Sequence, residues 1–101
     1  MTTTTAATDP IMSLVAAYVS ALAYAEEVNR AAGEMSDEDY EALASKTHYP
    51  IRQALIDSTE FATSAEGARA ALNLAIQQRM IGDTPLIDRM MDAAAGYLAR
   101  A

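Results

Sequence analysis

PIMSLVAAYVSALAYAEEVNRAA, residues 10–32, decides how the rest of the chain must fold. It carries no charge before Glu26. Asp9 in front of it is a good N-cap, and Pro10 suits the first helical position, where its missing N–H costs nothing. Gly33 follows, where a left-handed residue ends a helix well. At 100° per residue, Ile11, Leu14, Val15, Tyr18, Leu22, Ala25 and Ala32 form one apolar stripe. Met12, Ala16, Val19 and Ala23 form a second, about 100° away. The first stripe can face the chain's own core, whereas the second needs another partner. Its last two turns become Glu26, Glu27 and Arg30, which confines the extra apolar face to the first half. A membrane span is not expected: the charge-free run Pro10–Ala25 covers 16 residues, short of the roughly 20 a span needs. No Lys or Arg precedes it as a signal peptide would require.

Shorter amphipathic segments follow. Ser36 is a strong N-cap, with Asp39 in an approximate capping box, and Asp37, Glu38 and Asp39 complement the helix dipole in the first turn. Tyr40, Leu43, Ala44, Thr47, Ile51, Ala54, Leu55, Ser58 and Ala62 keep one helical phase through Pro50, whose ring crowds the carbonyl of Lys46. One helix kinked near Pro50 is expected over 37–61, the alternative being two helices broken near His48. Thr63 and Glu66 form a capping box that opens a helix over 64–81, with inner residues Ala65, Ala68, Leu72, Ala75, Ile76 and Met80. Gly67 in its first turn permits close approach of another backbone. Gly82 ends this helix, and Asp83 or Thr84 caps the last one over 85–100, whose inner face is Ile87, Met90, Met91, Ala94, Tyr97 and Leu98. Met80, Met90 and Met91 read as core filler. No segment alternates with period two. The expected fold is an all-α bundle: a long antiparallel hairpin (10–32 against 37–61) plus two shorter helices, forming one domain over 9–101 behind a disordered tail over 1–8.

The 101 residues carry a net charge of −7, unevenly placed. Residues 1–50 hold eight acids and two bases, whereas 51–101 hold six acids and five bases. Such a chain repels phosphate backbones, so no nucleic-acid partner is expected. There is no cysteine, which excludes disulfides and thiolate metal sites. With neither span nor signal, no membrane partner is expected and the cytoplasm is the expected location.

The run Ala62-Thr63-Ser64-Ala65-Glu66-Gly67-Ala68, after one long helix and before an alanine-rich one, resembles a turn in small uncharacterised helical proteins of bacterial genomes and prophages. In that family a Pro-Ala-Thr-Thr-like turn leads into a Glu-Gly helix start and then a Lys. This chain has Phe61 in place of the Pro and Ala71 in place of the Lys. The resemblance covers the middle and last thirds and implies a helical fold without implying an activity.

Candidate chemistry is sparse. His48 is the only histidine, so the Glu-x-x-His pairs of di-iron bundles cannot form, and no nucleophile is evident for it to serve as base. The i,i+3 pairs Glu38/Glu41 and Asp57/Glu60 have the spacing that all-α nucleotide pyrophosphohydrolases use for Mg²⁺, but they lie off the buried stripe and read as a solvated face. No catalytic, cofactor or metal residue is assigned.

What remains is surface. Met12 and Val19, Tyr49 and Ile56, and Leu74 and Ile81 are three apolar i,i+7 pairs outside the assigned inner stripes. They are the candidate self-association residues, most simply in a two-fold homodimer. Glu26, Glu27, Glu34, Asp37, Glu38, Asp39 and Glu41 gather seven acids around one turn, a candidate docking tip for a basic protein partner. The expected function is a non-enzymatic protein-interaction or regulatory module, homodimeric. The alternatives are a small Mg²⁺-dependent nucleotide-hydrolysing enzyme and an acidic inhibitor of a basic host or phage protein.

Overall fold

Asp9 starts the first helix as its sequence position requires. Its Oδ1 accepts from the N–H groups of Ile11 (3.0 Å) and Met12 (3.3 Å), and the helix runs Pro10–Ala31 (α1). The structure is a computed structural model describing residues 9–101; the expected tail, 1–8, lies outside the described residues. Within them stand four further helices, Asp37–Lys46 (α2), His48–Asp57 (α3), Ala65–Gln78 (α4) and Thr84–Arg100 (α5), and no strand. The fold is a small all-α bundle.

α1 divides as its two stripes predict. Ile11, Val15, Tyr18 and Ala25 are buried, with Leu14 and Leu22 packed against the core. Met12, Ala16, Val19 and Ala23 are exposed. By length and composition α1 is apolar enough to cross a membrane; here its buried face packs on α3 and α4. It ends in a Schellman turn, with Gly33 N–H bonding the Arg30 carbonyl (3.1 Å) and Glu34 N–H the Asn29 carbonyl (3.0 Å). Gly33 and Glu34 both take positive φ, 75° and 68°. The Asn29 side chain then accepts from Met35 N–H at 2.7 Å, turning the chain into α2.

The helix expected over 37–61 breaks at Thr47 (φ −114°, ψ −88°), three residues before Pro50. A break here spares the Pro50 ring, which in a continuous helix would strike the carbonyl of Lys46. With the break, Pro50 falls in the first turn of α3, where its missing N–H has no partner to lose. α3 ends at Asp57 rather than near Phe61. The segment after it is extended and fastened to α5. Arg89 donates to the carbonyls of Ser58 and Glu60, and Ala62 N–H donates to the Ala93 carbonyl at 3.1 Å. The Phe61 ring covers Gly96, with the Arg100 guanidinium 5.1 Å from its centroid.

α4 is rotated from the expected phase. Its buried residues are Gly67, Ala68, Ala71, Leu74, Ala75 and Gln78, while Ile76 and Met80 are 59% and 90% exposed. A face of glycine and alanine allows close helix approach, and that outweighs the larger side chains a hydrophobicity wheel favours. On α5, Leu86, Met90, Ala93 and Ala94 are buried, whereas Met91 and Leu98 are 52% and 61% exposed. Of the three methionines expected in the core, only Met90 is there.

One carboxylate sets the rotation of α4. Asp9 Oδ2 accepts from Thr63 N–H (3.0 Å), Ser64 N–H (3.0 Å) and Ser64 Oγ (2.7 Å), so a single side chain sits at the N-termini of both α1 and α4. The cap of α4 is therefore Ser64, whose Oγ accepts from Gly67 N–H at 2.9 Å, and not the expected Thr63–Glu66 box. Asp9 is 5% exposed. Burial raises its pKa, but hydrogen bonds from Ser64, Thr63, Met12 and Ile11 outweigh that and leave it below the usual carboxylate value.

Candidate functional site

Because α1 is longer than its neighbours' contact with it, its C-terminal half stands beside the α2–α3 break and leaves a groove there. The outer part encloses 510 Å³ and is lined by Glu26, Asn29, Met35, Asp37, Tyr40 and Glu41. The inner part encloses 490 Å³, with Tyr18, His48, Tyr49, Arg52, Gln78 and Asp83 among its walls. Glu26 and Tyr40 line both, so the two volumes adjoin.

Aromatic rings surround His48. Tyr49 lies 5.0 Å away between centroids, Tyr18 6.1 Å and Tyr40 6.3 Å. His48 is 5% exposed. Its tautomer follows from hydrogen-bond accounting. The Thr47 hydroxyl donates to the Leu43 carbonyl (2.9 Å), so toward His48 Nδ1, 3.3 Å away, it offers only lone pairs. Nδ1 therefore carries the proton and Nε2 is the bare acceptor. No group among the described residues hydrogen-bonds Nε2. Burial lowers the His48 pKa more than Glu26 and Glu41 raise it, and the ring is neutral at pH 7.

The polar groups around the ring are divided between engaged and open. Arg52 grips Asp83 with two parallel bonds, Nε–Oδ2 at 2.8 Å and Nη2–Oδ1 at 2.7 Å. That use of Asp83 displaces it from its expected capping role; it precedes α5 without a side-chain cap bond. Tyr49 Oη donates to Glu41 Oε1 at 2.9 Å, linking α3 to α2 across the break. Gln78, 3% exposed, sits beside the Tyr18 hydroxyl. Burial raises the Tyr18 pKa, and Asp83 adds to the rise.

Of the seven acids of the expected docking tip, Glu26, Asp37 and Glu41 line the groove. Glu27 is paired with Arg30. Glu34, in the left-handed turn, and Glu38 and Asp39 are exposed outside the lining. The self-association set separates further. Met12 and Val19 are 44% and 47% exposed, and Ile81 is 74% exposed. Leu74 is 2% exposed and belongs to the core, because α4 turns that face inward. Ile56 packs against the core as well, and Tyr49 is committed to Glu41 and His48.

The Thr47 hydroxyl beside His48 has spent its proton on a carbonyl, so the pair is not a nucleophile with its base. Among the described residues no three His, Asp or Glu groups converge to hold a metal. Arg52, Asp83 and Gln78 escaped the sequence reading because their proximity depends on the packing of α3 against the α4–α5 turn. No protein-family model, curated protein or solved structure matches the chain.

Proposed function

We propose that this chain is a non-enzymatic protein-interaction module whose acidic, tyrosine-walled groove captures a basic segment of a partner protein. The observation that carries it is a mismatch of charge within one concavity. The lining holds Glu26, Asp37, Glu41 and Asp83, and its one cationic side chain, Arg52, is already neutralised by Asp83. Uncompensated carboxylates in a concave site focus negative potential outward and speed the arrival of a cationic ligand. Tyrosine faces supply contact area and cation–π attraction once it arrives. A tetralysine peptide followed by NMR should shift resonances of Tyr40, Glu41 and their neighbours, and the Glu26→Gln/Glu41→Gln double variant should weaken binding several-fold, with salt doing the same. Shifts spread evenly over the surface would refute the groove.

Self-association is a second reading, favoured by Met12 and Val19, both exposed and one helical heptad apart on a face that no other helix covers. Val19→Asp should then reduce the mass seen in light scattering from two chains to one without loss of helicity. A wild-type chain already monomeric at high micromolar concentration ends that reading.

A further inference from the structure

The groove reading assigns no ligand contact to three buried polar side chains of the inner cleft, His48, Tyr18 and Gln78, each 5% exposed or less; Tyr18 and Gln78 bond each other, and His48 Nε2 has no partner among the described residues. They come from three different helices, α3, α1 and α4, and all line the same 490 Å³ volume. Unpaired buried polar atoms are costly and rare in folded proteins. His48 Nε2 and the Gln78 amide oxygen, which the Tyr18 bond leaves free, together point to a ligand that donates to both.

Their chemistry specifies that ligand. His48 Nε2 offers a lone pair and no proton. The Gln78 amide offers a carbonyl oxygen, and Glu26 at the junction of the two volumes offers carboxylate oxygens. Acceptors thus dominate, and the cleft's own cation is engaged with both oxygens of Asp83. The complement is a cation with several donors spread in a plane, flat enough to lie against tyrosine rings. A guanidinium meets each condition, with five N–H donors in a fixed fork, weak hydration and a preference for aromatic faces. An ammonium is a compact, strongly hydrated point charge and is better served by the solvated carboxylates of the outer groove. A volume of 490 Å³ lies within the range of about 300–1,000 Å³ typical of ligand sites. We infer that the inner cleft is a receptor for one arginine side chain of the captured basic segment, its guanidinium donating to His48 Nε2, the Gln78 amide oxygen and the Glu26 carboxylate. The inference rests on the groove reading above and adds to it a selectivity for arginine over lysine.

A pH dependence follows from the same geometry. Protonating His48 turns Nε2 from acceptor to donor and adds a positive charge facing the guanidinium. The groups facing the ring are Tyr18 and Glu26 from α1, Tyr40 and Glu41 from α2, Tyr49 and Arg52 from α3, Gln78 from α4, and Asp83 ahead of α5. The change is assigned to His48, whose Nε2 is the acceptor the guanidinium uses.

The test is calorimetric titration of the whole chain with tetra-arginine and with tetralysine, at about pH 7.5 and about pH 5. Tetra-arginine should bind about tenfold more tightly at the higher pH, and that preference should vanish at the lower one. Gln78→Leu should remove the arginine preference, weakening tetra-arginine about tenfold. Tyr18→Phe is the second variant; it removes the hydroxyl that positions the Gln78 amide and should weaken tetra-arginine more than tetralysine. Equal binding of the two peptides, unaffected by either variant, overturns the arginine receptor and leaves the groove reading standing. Binding of neither peptide overturns both.

Discussion

The Asp9 carboxylate lies against the bare α-carbon of Gly67, where an added Cβ would come within 1.8 Å of Oδ2. The glycine is thus a matter of side-chain room for a capping carboxylate, more than of backbone approach between helices. Gly67→Ala, usually favourable inside a helix, should here destabilise the fold by about 2–4 kcal/mol, since it either expels Asp9 from two helix N-termini or displaces α4. Thermal unfolding of Gly67→Ala, Asp9→Ala and the double variant checks this. The two effects should be strongly sub-additive, because each destroys the same joint. Full additivity would mean that the two residues do not depend on each other.

Acid should unfold the protein in two stages. His48 has its folded pKa lowered from 6.5 by burial. The unfolded chain therefore takes that proton first, and stability falls as pH drops from 6.5 through the folded value. Asp9 and Asp83 have folded pKa values lowered from 3.8: Asp9 by hydrogen bonds that outweigh burial, Asp83 first by its Arg52 bonds. Their contribution is complete above 3.8 and is lost as pH falls through the folded values. Urea midpoints measured across pH should show both falls, and His48→Gln should abolish the upper one alone.

Gly96 is the counterpart of Gly67 on α5. A Cβ there would lie 2.2 Å from Phe61 Cγ, with Arg100 stacked on the ring's accessible side. Gly96→Ala should cost about 1–3 kcal/mol by overpacking, and Phe61→Ala in the same chain should recover part of the loss. The measurement is the denaturant midpoint of each variant. If Gly96→Ala is neutral, the extended segment after α3 is free to lift from α5.

Pro50→Ala should be neutral or destabilising by up to about 1 kcal/mol. The proline sits in the first turn of α3, so the alanine recovers no hydrogen bond, and it enlarges the unfolded ensemble. The break at Thr47 should persist, because His48 and Leu55 are held in the core from the α3 side. Backbone chemical shifts at Thr47 turning helical, together with a gain in stability, would show that proline alone imposes the break.

Much of the architecture is legible where side chains are large or where caps are specific. The buried stripe of α1, its stop at Gly33, and the starts at Asp9 and Ser36 follow from residue type and spacing, whereas α4 ends at Gln78, short of the expected stop at Gly82. The phase of α4 does not, because Gly67, Ala68, Ala71 and Ala75 give a wheel little amplitude; close packing, not hydrophobicity, marks that face. The cap chosen from Thr63 and Ser64 depends on a carboxylate fifty-odd positions upstream. The acidic half of the groove is visible as charge density between Glu26 and Glu41. Its inner half is not, since His48, Gln78 and the Arg52–Asp83 pair acquire meaning only when α3 meets the α4–α5 turn.

The joint between Asp9 and Ser64 spans 55 positions of sequence, whereas α4 and α5 pair across a short turn and need no such closure. The entropy of closing that long ring falls on the docking of α1 alone. The α4–α5 hairpin can assemble from local contacts, whereas α1 docks on α4 only by closing the longer ring. Its departure takes away Tyr18 and Glu26, and with them one wall of the groove. On the groove reading, a bound basic segment holds α1 in place by mass action, and amide protection along α1 should rise on binding.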